Sequence, residues 1–242
     1  MVDTMKIARQ HPWFQARAGI ALSVLKEQCV HPPASVLDVG CGWGTNLQAL
    51  ETAGYEVTGL DISRRILDAL DRQGRNLIEA DLNREPPADA KIYDVLFALD
   101  VIEHLDDDLG AVCRLSRMLR PGGLAVISVP ALPELYSDFD RIQGHRRRYG
   151  PETLRAAFDG SGLGVLKIFW WGAWMVPVLR HQRHSRKGEK GSGSMSYADH
   201  LRIPPWPLPQ FMRLAFAWEK RRALSGKLKA GTSLFAVASR SE

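Results

Sequence analysis

Between Val36 and Val129 the sequence alternates short, β-rich apolar runs with helix-compatible segments. This alternation is typical of βαβ units, in which helices cover the faces of a parallel sheet. The strand candidates are Ser35 to Val39, Glu56 to Leu60, Asn76 to Glu79, Tyr93 to Leu99 and Gly123 to Val129. The helix candidates are Phe14 to Glu27, Asn46 to Thr52, Ser63 to Arg72 and Asp107 to Leu119. The pattern predicts an α/β fold on a mostly parallel sheet.

After Val129 the regular alternation of strand and helix segments ends. A helix is predicted near Pro151 to Phe158, a strand begins at Val165, and a last strand covers Ser233 to Ser239. The stretch between these two strands spans about 60 residues, whereas connections in compact domains usually span ~2 to 6 residues. Long insertions of this kind are often lids or binding elements, so we expect such a role here.

The overall composition excludes several classes of protein. With 45% hydrophobic and 24% charged residues, the 242-residue chain has the make-up of a globular protein. A net charge of +5 is too small to indicate nucleic-acid binding without a clustered basic patch. The three cysteines form no C-x-x-C pair, which favours a reducing compartment. We expect a cytoplasmic protein, with peripheral contact at the inner face of the membrane as a hypothesis.

A glycine-rich turn follows the first strand, in the stretch Asp38-Val39-Gly40-Cys41-Gly42-Trp43-Gly44. Glycine allows the backbone to approach a ligand closely because it has no Cβ. The G-x-G-x-G spacing matches neither the dinucleotide fingerprint nor the phosphate loop. Asp61 ends the second strand, about 20 residues downstream, where such folds place a carboxylate against ribose hydroxyls. These features together predict a nucleoside site.

Further segments carry a resemblance to a known family. Asp81 follows the third strand, Leu99-Asp100-Val101-Ile102-Glu103-His104 follows the fourth, and Leu119-Arg120-Pro121-Gly122-Gly123 precedes the fifth. With the glycine turn and Asp61, they resemble the class I S-adenosylmethionine (SAM) dependent methyltransferases from about Val36 to Val129. The resemblance implies a Rossmann-like seven-stranded sheet in the order 3-2-1-4-5-7-6, with a helical, apolar and basic lid inserted between the last two strands.

The same resemblance implies one methyltransferase domain for the whole chain. Within it we expect an N-terminal helical cap over 1–34 and a Rossmann-like core over 35–170. An insertion or lid over 171–231 and a last strand over 232–242 complete the expected division.

SAM is the cofactor that the resemblance implies. In such enzymes Gly40, Gly42 and Gly44 would line the methionine and ribose, and Asp61 would hold the ribose hydroxyls. Asp81 and Leu82 would flank the adenine, and Leu99 would contact the cofactor through its backbone. The full set of implied cofactor-binding residues is Arg17, Asp38, Gly40, Cys41, Gly42, Gly44, Asp61, Ile62, Asp81, Leu82 and Leu99. For Cys41 we expect small-residue packing in the turn, because no basic partner lies near it in sequence.

Two distant segments resemble one bacterial branch of these methyltransferases. They are His11-Pro12-Trp13-Phe14-Gln15-Ala16-Arg17, which fits H-x-W-F-x-x-R, and Gly144-His145-Arg146-Arg147-Arg148-Tyr149, which fits G-H-x-R-R-Y. In related enzymes an arginine of the N-terminal helix meets the cofactor carboxylate, and Arg17 is the candidate for that role.

Methyl transfer from a sulfonium is a direct displacement, so the protein must align the acceptor and supply a base where the acceptor carries a proton. The candidate catalytic residues are His145, His104 and Tyr149. The candidate substrate-binding residues are Trp13, Tyr136, Arg148, Tyr149, Trp171 and Trp174. A second interpretation remains open, in which the arginines of the Gly144 to Tyr149 segment form ion pairs with Asp138 and Asp140 and have a structural role.

The D-x-x-E-H spacing of Asp100, Glu103 and His104 is similar to the E-x-x-E-H of ubiquinone-pathway O-methyltransferases, where the cluster holds a divalent metal. Here the first position is Asp. The alternative is a helix start whose acidic side chains cap backbone N–H groups. Because that arrangement is the more common one in proteins, we expect no metal.

The segment Phe169 to Leu179 holds three tryptophans and is followed by basic residues. A second segment, Gln210 to Leu224, combines apolar residues at near-helical spacing with Lys220, Arg221 and Arg222. Aromatic rings beside cations are typical of elements that lie at a membrane surface. Peripheral membrane contact through 169–187 and 210–224 is therefore one hypothesis, and ordinary core packing of both segments is the other.

The leading functional hypothesis is SAM-dependent O-methylation of a hydroxyl or carboxylate in a small amphiphilic, lipid- or glycan-linked acceptor. A nucleic-acid or protein N-methyltransferase is the competing enzyme class, but the fourth strand lacks the [DNS]-P-P-[YFW] motif, and no nucleic-acid partner is expected. A non-catalytic SAM-binding module is the third possibility. The oligomeric state is left open.

Overall fold

The computed structural model describes residues 2–71, 74–84, 91–186, 203 and 205–241. The strands are β1 Ser35–Val39, β2 Glu56–Asp61, β3 Asn76–Glu79, β4 Tyr93–Leu99, β5 Leu119–Pro130, β6 Leu163–Trp171 and β7 Ser233–Arg240. The described helices are α1 Val2–Gln10, α2 Pro12–Glu27, α3 Thr45–Thr52, α4 Arg64–Asp71, α5 Asp108–Ser116, α6 Asp138–Ile142, α7 Pro151–Ala156, α8 Val176–Arg186 and α9 Leu208–Leu224.

The seven strands form one sheet in the order β3-β2-β1-β4-β5-β7-β6. The first five strands are parallel, and β7 pairs antiparallel with both β5 and β6. This confirms the predicted α/β class and strand order. Because β1, β2 and β4 are parallel, their carboxyl ends lie at one edge of the sheet. The strand order reverses between β1 and β4, and ligands bind in the crevice that such a reversal opens at this edge.

Buried side chains alternate between the two faces of the sheet, and each face has its own core. Leu37, Leu96 and Ile127 belong to the core on one face, whereas Val36 and Phe97 belong to the core on the other. The second core is closed by α2 and α9, which contribute Ile20, Val24, Met212, Phe216 and Leu224. The helix before β1 therefore does pack over the sheet, as predicted.

The N-terminal region holds two helices, although the sequence predicted only the second of them. The imidazole Nδ1 of His11 accepts a hydrogen bond from the backbone N–H of Trp13 at 3.2 Å, and Pro12 takes the first helical position of α2. Both features stop α1 and start α2, because a side-chain acceptor and proline favour a helix start.

Two predicted boundaries differ from the structure. The helix expected to run to Leu119 ends at Ser116, and β5 begins at Leu119 instead of Gly123. Leu119 already pairs with Tyr93, and the register shifts before Leu124 pairs with Val95. The Pro-Gly-Gly signal was interpreted as a turn before the strand, whereas it forms an irregularity within the strand.

The insertion between β6 and β7 contains α8 and α9 on either side of residues 187–202, which lie outside the described part of the chain. The carboxylate of Glu219 on α9 is buried and accepts N–H groups from Gly172 at 2.6 Å and Ala173 at 3.0 Å. This contact fixes α9 against the end of β6. None of the described helices is long and apolar enough to cross a membrane.

Candidate active site

The glycine turn after β1 approaches its neighbours too closely for any side chain at its first position. Gly40 has a φ of +64°, and a Cβ built there would lie 2.6 Å from Cγ2 of Val101. Gly42 also has a positive φ, and its N–H donates to Oδ2 of Asp61 at 2.9 Å. The turn is therefore a backbone surface that is joined directly to the end of β2.

Asp61 is held in place by backbone donors. Its Oδ1 accepts from the N–H of Ser63 at 2.9 Å, while its Oδ2 accepts from Gly42. The side chain of the intervening Ile62 is 64% exposed. Both oxygens of the carboxylate are therefore anchored at the sheet edge, and its contact with ribose hydroxyls stays a prediction.

Asp38 offers a buried acceptor atom with nothing bound to it. Its side chain is fully buried, and Asn46 donates to Oδ1 at 3.1 Å. Oδ2 finds no hydrogen-bond partner among the described residues. Burial raises the pKa of Asp38 to about 7. An orphaned carboxylate oxygen beside a glycine turn fits an ammonium group, which the methionine end of SAM provides.

Cys41 is buried within the turn, and its backbone N–H donates to the carbonyl of Leu60 at 3.0 Å. Burial, and to a lesser degree the carboxylates of Asp38 and Asp61, raise the pKa of the Cys41 thiol. A thiol in this state is neutral and a poor nucleophile, so the side chain acts as packing.

The predicted adenine contacts lie at the ends of β3 and β4. Asp81 accepts from the backbone N–H of Asn83 at 3.0 Å, and this hydrogen bond is the main cause of its lowered pKa. The carbonyl of Leu82 accepts from Nε of Arg114 at 2.9 Å. Leu99 is buried at the end of β4. The structure brings all three to the carboxyl edge of the sheet that carries the glycine turn.

Arg17 reaches this edge from α2 and forms an ion pair with the carboxylate of Asp100. Asp100 has a φ of +59°, and its Oδ1 accepts from Oγ of Ser128 at 2.9 Å. The guanidinium Nε of Arg17 is buried and has no hydrogen-bond partner within the described residues. Sequence reasoning placed Arg17 at the cofactor but missed its pairing with Asp100, since neither spacing nor composition connects residues so far apart.

His145 and Arg148 share one acceptor, the buried carboxylate of Asp140. Nδ1 of His145 lies 3.2 Å from Oδ1 of Asp140, and Nε of Arg148 donates to the same oxygen at 2.7 Å. Although burial alone raises the pKa of Asp140, the hydrogen bonds from His145, Arg148 and Ser137 lower it to about 2. Arg148 thus forms one of the structural ion pairs that the sequence left as an alternative.

Since Asp140 is ionised at neutral pH, its oxygens can only accept hydrogen bonds. A neutral imidazole that is hydrogen-bonded to this acceptor must carry its hydrogen on Nδ1, which leaves the lone pair on Nε2. The side chain of His145 is 9% exposed. A carboxylate that fixes the tautomer of an imidazole is the arrangement of an oriented general base.

Glu103 and His104 complete a cluster with His145. Oε1 of Glu103 lies 3.9 Å from Nε2 of both histidines, and the two imidazole rings are 4.8 Å apart. The Glu103 carboxyl is fully buried without a hydrogen-bond partner in the described chain, and burial followed by the Asp100 charge raises its pKa well above the usual range. Single ligand atoms of these three residues lie within 4.8 Å of one another, a spacing that suits a metal ion.

The two tyrosines predicted for this region have structural partners. The hydroxyl of Tyr149 donates to Oδ2 of Asp108 at 2.6 Å in the core, where burial raises its pKa. The hydroxyl of Tyr136 donates to the backbone carbonyl of His145 at 2.8 Å. Tyr136 therefore lies against the backbone of His145, whereas Tyr149 is buried in the protein.

Three tryptophans predicted to meet substrate form one aromatic group with Phe216 of α9. The rings of Trp13 and Trp171 are 4.3 Å apart, and Phe216 lies 5.0 Å from Trp171 and 5.1 Å from Trp174. Trp171 is fully buried, whereas Trp13 and Trp174 are half-buried. Trp13 and Trp174 are thus the members with accessible surface.

The two segments proposed for membrane contact contain both buried and exposed apolar side chains. Phe169 and Trp171 belong to the core, as do Met212 and Phe216 of α9. Other side chains of the same region are more than a third exposed, namely Val178, Trp206, Leu208, Phe211, Leu214 and Trp218. Core packing is therefore the correct interpretation for Phe169, Trp171, Met212 and Phe216. The six other side chains are exposed and do not belong to the core. Position 187, at the end of the first segment, lies outside the described residues.

The order of the sheet, the glycine turn after β1 and the carboxylate ending β2 define a nucleoside-binding protein of the Rossmann-like class. The chain belongs to the methyltransferase domain family, whose model matches residues 12–168. It is an enzyme of the methyltransferase class, and its cofactor is SAM.

Among proteins of known activity, the chain is 32% identical over 221 residues to a malonyl-(acyl-carrier protein) O-methyltransferase of Enterobacter lignolyticus, covering 88% of this chain and 85% of the relative. It is 29% identical to the enzyme of that name from Pseudescherichia vulneris, covering 78% and 76% of the two chains. A ubiquinone biosynthesis O-methyltransferase of Vibrio cholerae is 31% identical over 94 residues, which cover 36% of this chain and 38% of the relative.

Solved structures share the fold at low sequence identity. A SAM-dependent methyltransferase from Archaeoglobus fulgidus has a TM-score of 0.56 at 18% identity, with 92% of this chain and 94% of that chain covered. A SAM-dependent methyltransferase from Clostridium acetobutylicum has a TM-score of 0.59 at 11% identity, with 95% and 92% covered. At these identities the likeness shows the fold alone.

Proposed function

We propose that this protein transfers the methyl group of SAM to a hydroxyl or carboxylate oxygen of a small amphiphilic, lipid- or glycan-linked acceptor. The relatives that match most of the chain are named as O-methyltransferases acting on a carrier-linked malonyl group, which supports oxygen as the acceptor atom. The observation that carries the proposal is the His145–Asp140 pair, because a hydroxyl acceptor must lose a proton when it is methylated.

On the cofactor side, SAM supplies an electrophilic methyl group on a sulfonium sulfur. Oδ2 of Asp38, which has no hydrogen-bond partner among the described residues, would accept a hydrogen bond from the ammonium group of SAM. The Asp61 carboxylate would accept hydrogen bonds from the ribose hydroxyls. Arg17 would exchange part of its contact with Asp100 for the cofactor carboxylate, using the guanidinium Nε that has no described partner. Gly40 and Gly42 provide the backbone that lies against the ligand.

On the acceptor side, Nε2 of His145 would take the proton from the hydroxyl as the new oxygen–carbon bond forms and the carbon–sulfur bond breaks. A carboxylate acceptor carries no such proton and would need only alignment. Trp13, Tyr136 and Trp174 are the proposed acceptor contacts, since each retains some exposed surface near this edge. Arg148, Tyr149 and Trp171 are buried and contact other protein groups, so their proposed role is structural support of the site and not direct contact with the acceptor.

Methyl transfer is proposed to need no metal ion, although Glu103, His104 and His145 have ligand atoms close enough to hold one. His104 stays a secondary candidate for proton transfer, because its side chain is 39% exposed and adjoins His145. Dialysis against a chelator should leave turnover unchanged. Loss of turnover that is restored by Mg²⁺ would assign the cluster to a metal instead.

Labelling of a cell extract tests the proposed acceptor class. The purified protein is incubated with methyl-labelled SAM and the extract, which is then separated into organic, nucleic-acid and protein fractions. Label in the organic fraction supports the proposal, and label in the nucleic-acid fraction or on protein nitrogen atoms contradicts it. Asp61→Ala serves as the control, because loss of its charge-assisted contact with the ribose, ~1.5 to 3 kcal/mol, should reduce labelling of every fraction.

A further inference from the structure

One face of α9 presents large apolar side chains to solvent. Phe211, Leu214 and Trp218 are 57%, 71% and 70% exposed, and their spacing of three and four residues places them on the same side of the helix. Trp206 at 79% and Leu208 at 45% extend the set before and into the first turn. We call these five residues the apolar stripe. Scattered exposed apolar residues are ordinary, but a contiguous set with two tryptophans indicates an interaction surface.

The stripe is rigidly presented. The opposite side of α9 buries Met212, Phe216, Ala223 and Leu224 in the core against α2 and the sheet. Glu219, on the same buried side, binds the backbone N–H groups at the end of β6. The exposed residues therefore do not belong to a loosely attached helix that could turn inward.

Positive charge surrounds the stripe without an exposed carboxylate in the same stretch. Between 205 and 229 the only acidic residue of the sequence is Glu219, which is 1% exposed. The basic residues of the stretch are Arg213, Lys220, Arg221, Arg222, Lys227 and Lys229. Arg221 and Arg222 follow Trp218 by three and four residues, and the guanidinium of Arg222 lies 5.6 Å from the centre of the Trp218 ring. Arg221 and Arg222 thus border the same face.

We infer that the apolar stripe rests on an anionic lipid surface. Tryptophan rings lie favourably at the level of lipid headgroups, aliphatic side chains enter the acyl boundary, and lysine and arginine attract anionic lipids. An acidic soluble protein could pair with the cations, but its charged surface would not bury the five large apolar side chains of the stripe. The observed combination of aromatic rings, aliphatic groups and neighbouring arginines therefore favours the lipid surface.

The stripe also lies next to the proposed acceptor contacts. The Phe211 ring is 5.8 Å from Trp174, and Phe216 beneath the stripe is 5.6 Å from Trp13. Docking through α9 would thus bring the aromatic end of the active site close to the lipid. This placement agrees with the proposed amphiphilic acceptor, and in that respect alone the inference rests on the proposed function.

Flotation with vesicles tests the inference without any methyl transfer. The full-length protein is mixed at low salt with phosphatidylcholine vesicles that contain or lack phosphatidylglycerol. We expect it to float with the anionic vesicles, to bind neutral ones weakly, and to be released by high salt because the electrostatic attraction is screened. The variant Phe211→Ser/Leu214→Ser/Trp218→Ser should lose at least about tenfold in vesicle affinity.

Leu166→Ser is the matched control, since Leu166 is 56% exposed on the edge strand β6 and should float like the wild type. A SAM-induced melting shift in every variant establishes that the fold is intact, and it separates failure of docking from failure of the proposed reaction. The inference is overturned if the wild type does not float, or if the triple variant floats equally well. It is also overturned if the triple substitution instead abolishes a dimer or binding to an acidic carrier protein.

Discussion

Nδ1 of His145 lies 3.2 Å from Oδ1 of Asp140, a carboxylate that is itself fully buried and also bound by Arg148. The pair gives the imidazole one defined tautomer with its lone pair on Nε2. His145→Ala should lower kcat by about 100-fold or more with a proton-bearing acceptor, because a positioned base contributes ~10² to 10⁴. SAM affinity measured by calorimetry should be unchanged. An unaltered kcat would remove His145 as the base.

Asp140→Asn should lower kcat indirectly, because Asp140 positions His145 and is not proposed to contact the acceptor. The amide no longer enforces a hydrogen on Nδ1, so kcat should fall while KM for SAM stays constant. Asp138→Asn is the matched control, because Asp138 is 87% exposed and pairs with Arg141 on the surface. Equal effects of the two substitutions would show that Asp140 has no positioning role.

Asp140 should also stabilise the fold at neutral pH and lose that effect in acid. Its pKa of about 2 in the folded protein lies below the ~3.9 of an unfolded chain, so the stabilisation is present above pH 4 and is lost as the pH falls toward 2. The difference corresponds to about 2 to 3 kcal/mol. Denaturant unfolding at pH 6 should show that loss for Asp140→Asn, with a smaller difference from the wild type at pH 2.5.

Asp38 should make SAM binding depend on pH. Its pKa of about 7 in the free protein is higher than in an unfolded chain, so ionisation of this buried group destabilises the fold as the pH rises from about 4 through 7. The cofactor ammonium favours the ionised form, so calorimetric affinity for SAM should increase from pH 6 to pH 8. The isosteric variant Asp38→Asn should bind more weakly and show no such increase. A parallel pH dependence in both proteins would refute this role.

Gly40→Ala should weaken SAM binding and stability together, since the new Cβ would lie 2.6 Å from Val101 Cγ2 at a φ of +64°. Gly74→Ala controls for backbone strain alone: it has a φ of +66° and no described atom within 4 Å of the added Cβ. That control should lose only about 1 to 2 kcal/mol. Adding Val101→Ala to Gly40→Ala should recover part of the larger loss. Identical melting shifts for the two single variants would show that the contact with Val101 has no consequence.

Local patterns predicted the sheet and the glycine turn after β1 well, because strand period and glycine spacing are encoded by neighbouring residues. The pairing of Arg17 with Asp100 and the sharing of Asp140 by His145 and Arg148 could not be predicted, since they depend on how distant elements pack. The start of β5 at Leu119 was missed for a similar reason. Pairing with Tyr93 of β4 overrides the local turn signal there.

The chemical position of the transferred methyl group tests the central claim most directly. Extract is incubated with the enzyme and SAM carrying a ¹³C methyl group, and the labelled product is examined by heteronuclear NMR. The account predicts a methoxy or methyl-ester carbon in an organic-soluble product, formed more slowly by His145→Ala when it is a methoxy group. An N-methyl or S-methyl carbon, or no labelled product beside intact SAM binding, would contradict it.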